Sequence, residues 1–201
     1  MSRIAIYGAS GHGKVIADIA KRNGYKDIIF IDDGNNKYIN FDIFCYELKD
    51  VLNVVLAIGD NKTRLKIFEK VEKAGFKVIT LIDPSAIIAP SVEIEIGSVI
   101  MPGVIINAGA CIEEGVIINS GAVVEHETKV GAYSHISPNV SLAGGVKIGN
   151  FTHIGIGSSV IQNIIIGDNV IVGAGSVVIK NIRDDMVVVG NPANSIRVQN
   201  E

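Results

Sequence analysis

Ser98–Ile118 reads SVIMPGVIINAGACIEEGVII, and an aliphatic residue returns at every sixth position, at Ile100, Ile106, Ile112 and Ile118. The step extends both ways without a break. It begins at Ile82, Ile88 and Ile94 and continues to Val124, Val130, Ile136, Leu142, Ile148, Ile154, Val160, Ile166, Val172 and Val178. All seventeen positions are Ile, Val or Leu. Four residues after each step stands a small or β-branched residue, as at Ala86, Val92, Ser98, Val104, Ala110 and Val116. A period of six is not a helix face, and one flat strand of such length is not a domain. The pattern predicts a β-solenoid. Each hexad makes a short strand and a turn, and three hexads close a triangular coil of 18 residues with the recurrent aliphatic side chain inside. One coil cannot bury its own core, so stability comes from stacking about five and a half of them.

Composition points the same way. The chain has 35 Ile and 24 Val against six Leu, and β-branched side chains favour strands over helices. This argues against a helix bundle or coiled coil. A net charge of −3 argues against nucleic acid or an anionic membrane surface as the main partner. No apolar run is long enough to span a bilayer. The opening MSRIAIYGASGHGKV reads as a strand and a glycine loop rather than a signal peptide, which predicts a cytoplasmic protein. Cys45 and Cys111 match no zinc or disulfide framework and read as reduced structural thiols.

Residues 1–81 have a different grammar. Strand signals at Arg3–Tyr7, Ile28–Ile31, Val54–Ile58 and Val78–Leu81 alternate with helix signals at Lys14–Arg22 and Lys62–Ala74. The stretch Gly34–Cys45 reads as a loop with a short strand. Alternation of this kind predicts an α/β, Rossmann-like domain with a small parallel sheet over 1–81, followed by an all-β domain over 82–201 with a short C-terminal tail.

Several residues stand out as chemistry. His126 lies two positions after inward Val124, between Glu125 and Glu127, and a neighbouring carboxylate can fix an imidazole tautomer and raise its basicity. An 18-residue coil sets Gly144 one step, about 4.8 Å, beyond His126. A bare backbone there admits a substrate, and its N–H can support an oxyanion. His135 and His153 are also 18 apart and stack, but their spacing from His126 does not fit a three-histidine zinc site. No metal is expected. Near the N-terminus Gly8, Gly11 and Gly13 form GxxGxG rather than the GxGxxG of dinucleotide folds. A helix start there still offers N–H groups to a diphosphate.

The unbroken hexads resemble the left-handed parallel β-helix acyltransferases of the hexapeptide-repeat family. Gly8-Ala-Ser-Gly-His-Gly13, Asp32-Asp33, Ala57-Ile-Gly-Asp-Asn61, Glu125-His126-Glu127 and Gly190-Asn-Pro-Ala193 occur in this order. Together they look like the PglD-type UDP-amino-sugar N-acetyltransferases, with the sialic-acid O-acetyltransferases of NeuD type as cousins. The resemblance implies a homotrimer with active sites between subunits, and acetyl-CoA as acyl donor to the amine of a UDP-linked 4-amino-6-deoxy sugar. It makes His126 the general base, Glu127 its partner and Gly144 the oxyanion donor. It also assigns His135, Ile156 and Ala174 to the coenzyme cleft, Ser10, Gly11 and His12 to the UDP phosphates, and Asp32 and Asp33 to the uridine, with Gly59 and Arg64 in the same pocket. His153 receives no role. Many relatives follow GxPA with Lys, facing a coenzyme phosphate, whereas this chain has Asn194, leaving Lys180 or Arg197 to compensate. The alternatives are a sialic-acid-type sugar O-acetyltransferase, using the same base on a hydroxyl, and a non-catalytic β-solenoid binding protein.

Overall fold

In the computed structural model, which describes residues 3–48 and 53–199, an α/β unit and a solenoid share one apolar core. Residues 1, 2, 49–52, 200 and 201 of the expected domain spans lie outside the described ones. The α/β unit is a parallel sheet of β1 (Arg3–Tyr7), β2 (Asp27–Ile31), β3 (Asn53–Leu56) and β4 (Lys77–Val78), in the order β2-β1-β3-β4. Its helices are α1 (Gly11–Arg22), α2 (Phe41–Glu47) and α3 (Asn61–Lys73). α1 buries Ile16, Ile19 and Ala20 at helical spacing, and Ile4 and Ile6 of β1 lie in the same cluster.

Two expectations need correction. The stretch expected as loop contains α2. Phe41 and Phe44, three residues apart, bury one face, and Asn40 Oδ1 accepts from Ile43 N–H at 2.9 Å to cap its start. The expected strand Val78–Leu81 is divided. Val78 closes the α/β sheet, while the Leu81 N–H donates to Ser98 O of the next coil at 3.0 Å, so Leu81 opens the solenoid.

Among the described residues, seventeen two-residue strands follow, from β5 (Leu81–Ile82) to β21 (Val177–Val178). They stack in parallel as three faces of a left-handed β-helix, each strand from β5 to β18 pairing with residues 18 further on, as Cys111 with Lys129 and His135 with His153. The first face starts at Leu81, the second at Ile87 and the third at Glu93. From Ile100 to Val178 every sixth-position aliphatic is buried. Ile82, Ile88 and Ile94 are only half-buried, because the first coil has no coil beneath it. Buried hydroxyls stitch successive coils: Ser134 Oγ donates to Gly149 O at 2.7 Å and accepts from Thr152 N–H at 2.9 Å. The antiparallel pair β22 (Met186–Val189) and β23 (Asn194–Val198) extends the first face beyond the last coil.

The α/β unit sits on the first face. At one side Arg22 pairs with Asp83, Nε to Oδ2 at 2.7 Å, and Asn23 Nδ2 donates to Ile82 O at 2.9 Å. At the other, Asn61 Nδ2 donates to Phe151 O at 2.9 Å, and Phe68 meets Tyr133 edge-on with centroids 5.9 Å apart. These contacts span the face, so the unit is riveted to its own solenoid.

Candidate active site

His126 occupies the corner between the second and third faces, directly after Val123–Val124. Its side chain is 61% exposed, and Nδ1 lies 3.6 Å from Glu127 Oε2, ion-pair range but long for a hydrogen bond. Glu127 adopts φ 57°, where the equivalent corner residues are Gly109, Gly145 and Asn163. Glutamate is a poor choice for the left-handed region, and residues held there cluster at functional sites. One coil on, Gly144 faces the imidazole so closely that a Cβ there would fall 2.5 Å from His126 Nε2. Its N–H donates to no other group among the described residues. The corner thus holds an imidazole, a carboxylate beside it and an open backbone donor.

The glycine loop lies on the other unit. Gly8 has φ 111°, and a Cβ on Gly13 would fall 2.1 Å from Gly8 O, so the loop closes only with glycine at both places. Ser10 sits at the N-cap of α1 without a side-chain cap, whereas Asn40 and Asp60 cap α2 and α3. The N–H groups of Gly11, His12 and Gly13 make no hydrogen bond among the described residues, and Gly11 faces open space. His12 Nε2 is buried with no partner. Burial, with the Arg64 charge nearby, lowers the His12 pKa to about 4, so the ring is neutral at pH 7. An uncapped helix start with free donors favours an anion.

The acidic pair is more committed than expected. Asp32 accepts from Ala9 N–H through Oδ2 and Gly34 N–H through Oδ1, both at 3.0 Å, bracing the loop. Asp33 accepts from Tyr7 Oη at 2.5 Å, Lys70 Nζ at 2.8 Å and Phe41 N–H at 2.8 Å. Desolvation works to raise the Asp33 pKa, but these bonds outweigh it and hold the carboxyl low.

Arg64 departs furthest from its expected place in a nucleotide pocket. It is fully buried, and its guanidinium donates to the carbonyls of Gly115 at 2.7 Å, Tyr133 at 2.6 Å and Ile58 at 3.0 Å, and to Asn61 Oδ1 at 2.9 Å. Desolvation lowers its pKa to about 10 and leaves it charged. Its donors are spent fastening the two units, so none is left for a ligand. Gly59 is drawn into the same seam, its carbonyl accepting from Arg64 Nη1 at 3.2 Å.

His135 also lies in the seam, 9% exposed on the first face. Asn119 Nδ2 donates to its Nε2 at 3.1 Å, which puts the ring proton on Nδ1, 3.4 Å from Gly59 O. Burial foremost, then the charges of His153, Arg64 and His12, pushes its pKa down to about 3. The His153 ring stands 4.8 Å away and hydrogen-bonds Ser137 Oγ at 2.9 Å. Ile156 and Ala174, by contrast, stack at the exposed corner between the first and second faces. His135 is thus covered by the α/β unit, whereas Ile156 and Ala174 are open to solvent. No group of three or more His, Cys, Asp or Glu that could hold a metal occurs among the described residues.

Residues 3–71 match the PglD N-terminal domain family, and residues 145–180 match the bacterial transferase hexapeptide family of six repeats. The acetyltransferase domain of PglB from Neisseria gonorrhoeae is similar in structure, with a TM-score of 0.91 and 36% identity over 98% of this chain and 100% of that one. PerB from Caulobacter crescentus, solved with CoA and GDP-perosamine, superposes with a TM-score of 0.92 at 34% identity over 98% of both chains. The chain belongs to the PglD-type sugar N-acetyltransferases. A further PglD-type relative is the UDP-N-acetylbacillosamine N-acetyltransferase of Bacillus subtilis (strain 168), 40% identical over 109 residues. That match spans 49% of this chain and about half, 50%, of the length of the curated relative.

Proposed function

We propose that this protein transfers the acetyl group of acetyl-CoA to the amine of a UDP-linked 4-amino-6-deoxy sugar, with His126 as general base. The observation that carries the reading is the His126–Gly144 corner, where Nε2 faces a bare backbone so closely that an added Cβ would displace the imidazole. Nε2 takes the proton that the amine loses as its nitrogen attacks the thioester carbonyl. Glu127, 3.6 Å from Nδ1, orients the ring and stabilises the imidazolium. The Gly144 N–H supports the oxyanion of the tetrahedral intermediate. On collapse the C–S bond breaks, the amide remains on the sugar, and the proton returns to the departing thiolate.

The free N–H groups of Gly11 and His12, with Ser10 beside them, receive the diphosphate. Asp32 and Asp33 follow β2 beside this loop, and their remaining lone pairs suit uridine hydroxyls or the uracil N–H. Ile156 and Ala174 form one wall of the coenzyme cleft.

Topology favours sites shared between subunits. A triangular coil puts the His126 corner opposite the first face, which the chain's own nucleotide-binding unit covers. A nucleotide sugar held by one chain therefore lies across the prism from that chain's own His126. The second face, which ends at this corner, presents Ile87, Ile105, Val123 and Val177 outward, with Ile87 66% exposed. Ser141 and Ser159 stand between Val123 and Val177, and a mixed outer face with exposed Ile87, beside His126, supports a homotrimer in which a neighbour brings the nucleotide.

UDP is preferred because the relative from Bacillus subtilis bears a UDP-sugar name at 40% identity. Calorimetry with UDP, GDP and CMP tests it. UDP is expected to bind at least about tenfold more tightly than the others, a difference of about 1.4 kcal/mol. Preference for GDP moves the substrate to a GDP-sugar, and preference for CMP favours the sialic-acid O-acetyltransferase reading.

A further inference from the structure

Tyr7, Asp33 and Lys70 close a ring of hydrogen bonds beside the glycine loop. Tyr7 ends β1, one residue before Gly8, and Asp33 stands two residues after β2. Lys70 reaches them from the last turn of α3. Its Nζ donates to Asp33 Oδ2 at 2.8 Å and to Tyr7 Oη at 3.0 Å, and it stands 4.7 Å from the centre of the Phe41 ring, within cation–π range. Tyr7 Oη in turn donates to the same Oδ2 at 2.5 Å. Burial foremost pushes the Tyr7 pKa up to about 12, so the phenol keeps the proton it donates.

The ring narrows what Asp33 can do. An ionised carboxylate only accepts, through about four lone-pair sites. Oδ2 takes two donors and Oδ1 takes the Phe41 N–H at 2.8 Å, which leaves one site, on Oδ1. The side chain is still 43% exposed, so a ligand can reach the carboxylate. The buried Tyr7 hydroxyl needs one acceptor, and Asp33 already supplies it without the ammonium. Lys70 acts on Asp33 instead. Desolvation is the largest influence on that carboxyl and favours the neutral acid, and the bond from Lys70 is the strongest one opposing it.

We propose that Lys70 is a positioning residue of the nucleotide site: with Tyr7 it fixes Asp33 as an acceptor-only contact, so the base edge laid against it must donate. The proposal rests on a uridine diphosphate binding at the glycine loop beside Asp33. Uracil offers its N3–H to the free site on Oδ1. Cytosine puts a lone pair on N3 at the same place, and two acceptors then face each other. Lys70 thereby sets base selectivity without touching the ligand.

Calorimetry of UDP and CDP, which differ only along one edge of the base, with the wild-type protein and the Lys70→Met and Lys70→Arg variants tests this. The wild type is expected to bind UDP at least about tenfold more tightly than CDP. Lys70→Met keeps an unbranched stem but releases Asp33, and should cut that preference to about twofold or less, mainly by weakening UDP. Lys70→Arg keeps the charge and should retain the preference. An equal loss for UDP and CDP in Lys70→Met would make Lys70 a structural residue and overturns the proposal, as do unchanged affinities for both. A wild type that binds the two nucleotides equally removes the base contact, and the proposal with it, while leaving the diphosphate reading standing. Failure of UDP to bind the wild-type protein removes that reading as well.

Discussion

At the scale of single residues the proposed site rests on what Gly144 lacks. Its φ is outside the left-handed region, so alanine fits the backbone, but the added Cβ would lie 2.5 Å from His126 Nε2. The imidazole, exposed at its corner, would swing away rather than strain the fold. Gly144→Ala is therefore expected to lower kcat by about a hundredfold or more while shifting Tm by no more than about 2 °C. Parallel losses in both would make Gly144 a folding residue. Much of this corner was legible in the sequence, because a coil of 18 residues fixes which residue follows His126. The left-handed backbone at Glu127 was not legible, since neighbouring coils place Gly or Asn there and glutamate gives no such signal.

Among the elements, the seam between the α/β unit and the first face was the least legible part. Arg64 binds carbonyls of Gly115 and Tyr133, 51 and 69 residues away, and a backbone carbonyl carries no residue identity to read. The helix Phe41–Glu47 was hidden for another reason, its aromatic and β-branched residues favouring strand until tertiary packing decides. The seam has a consequence for pH. His135 is held neutral with a pKa near 3, against 6.5 for the free residue, and His12 is lowered to about 4. Below about pH 6.5 the unfolded chain binds protons that the folded chain refuses, so stability falls as pH drops from 6.5 toward 3. Tm measured between pH 7 and pH 4 should decline in the wild type and decline less steeply in His135→Gln, which keeps a donor and an acceptor. The same slope in both would show that His135 does not carry the effect.

For the molecule as a whole, the hexads made the solenoid readable because each of seventeen aliphatic steps repeats one instruction. The proposed assembly of copies rests only on an exposed face and an opposite corner. If His126 of one subunit serves the glycine loop of another, two inactive chains should complement each other. His126→Ala keeps the loop, and Gly13→Val, whose side chain collides with Gly8 O, keeps the base. Subunits of the two variants mixed equally in random trimers should regain about a quarter of wild-type activity. No recovery from demonstrably mixed trimers would place both parts in one chain. The central claim is tested most directly by thiol release from acetyl-CoA in the presence of a UDP-linked 4-amino-6-deoxy sugar, wild type against His126→Ala. The account predicts sugar-dependent release by the wild type and a loss of at least about a hundredfold in the variant. Release that is independent of the sugar, or a variant as fast as the wild type, would contradict it.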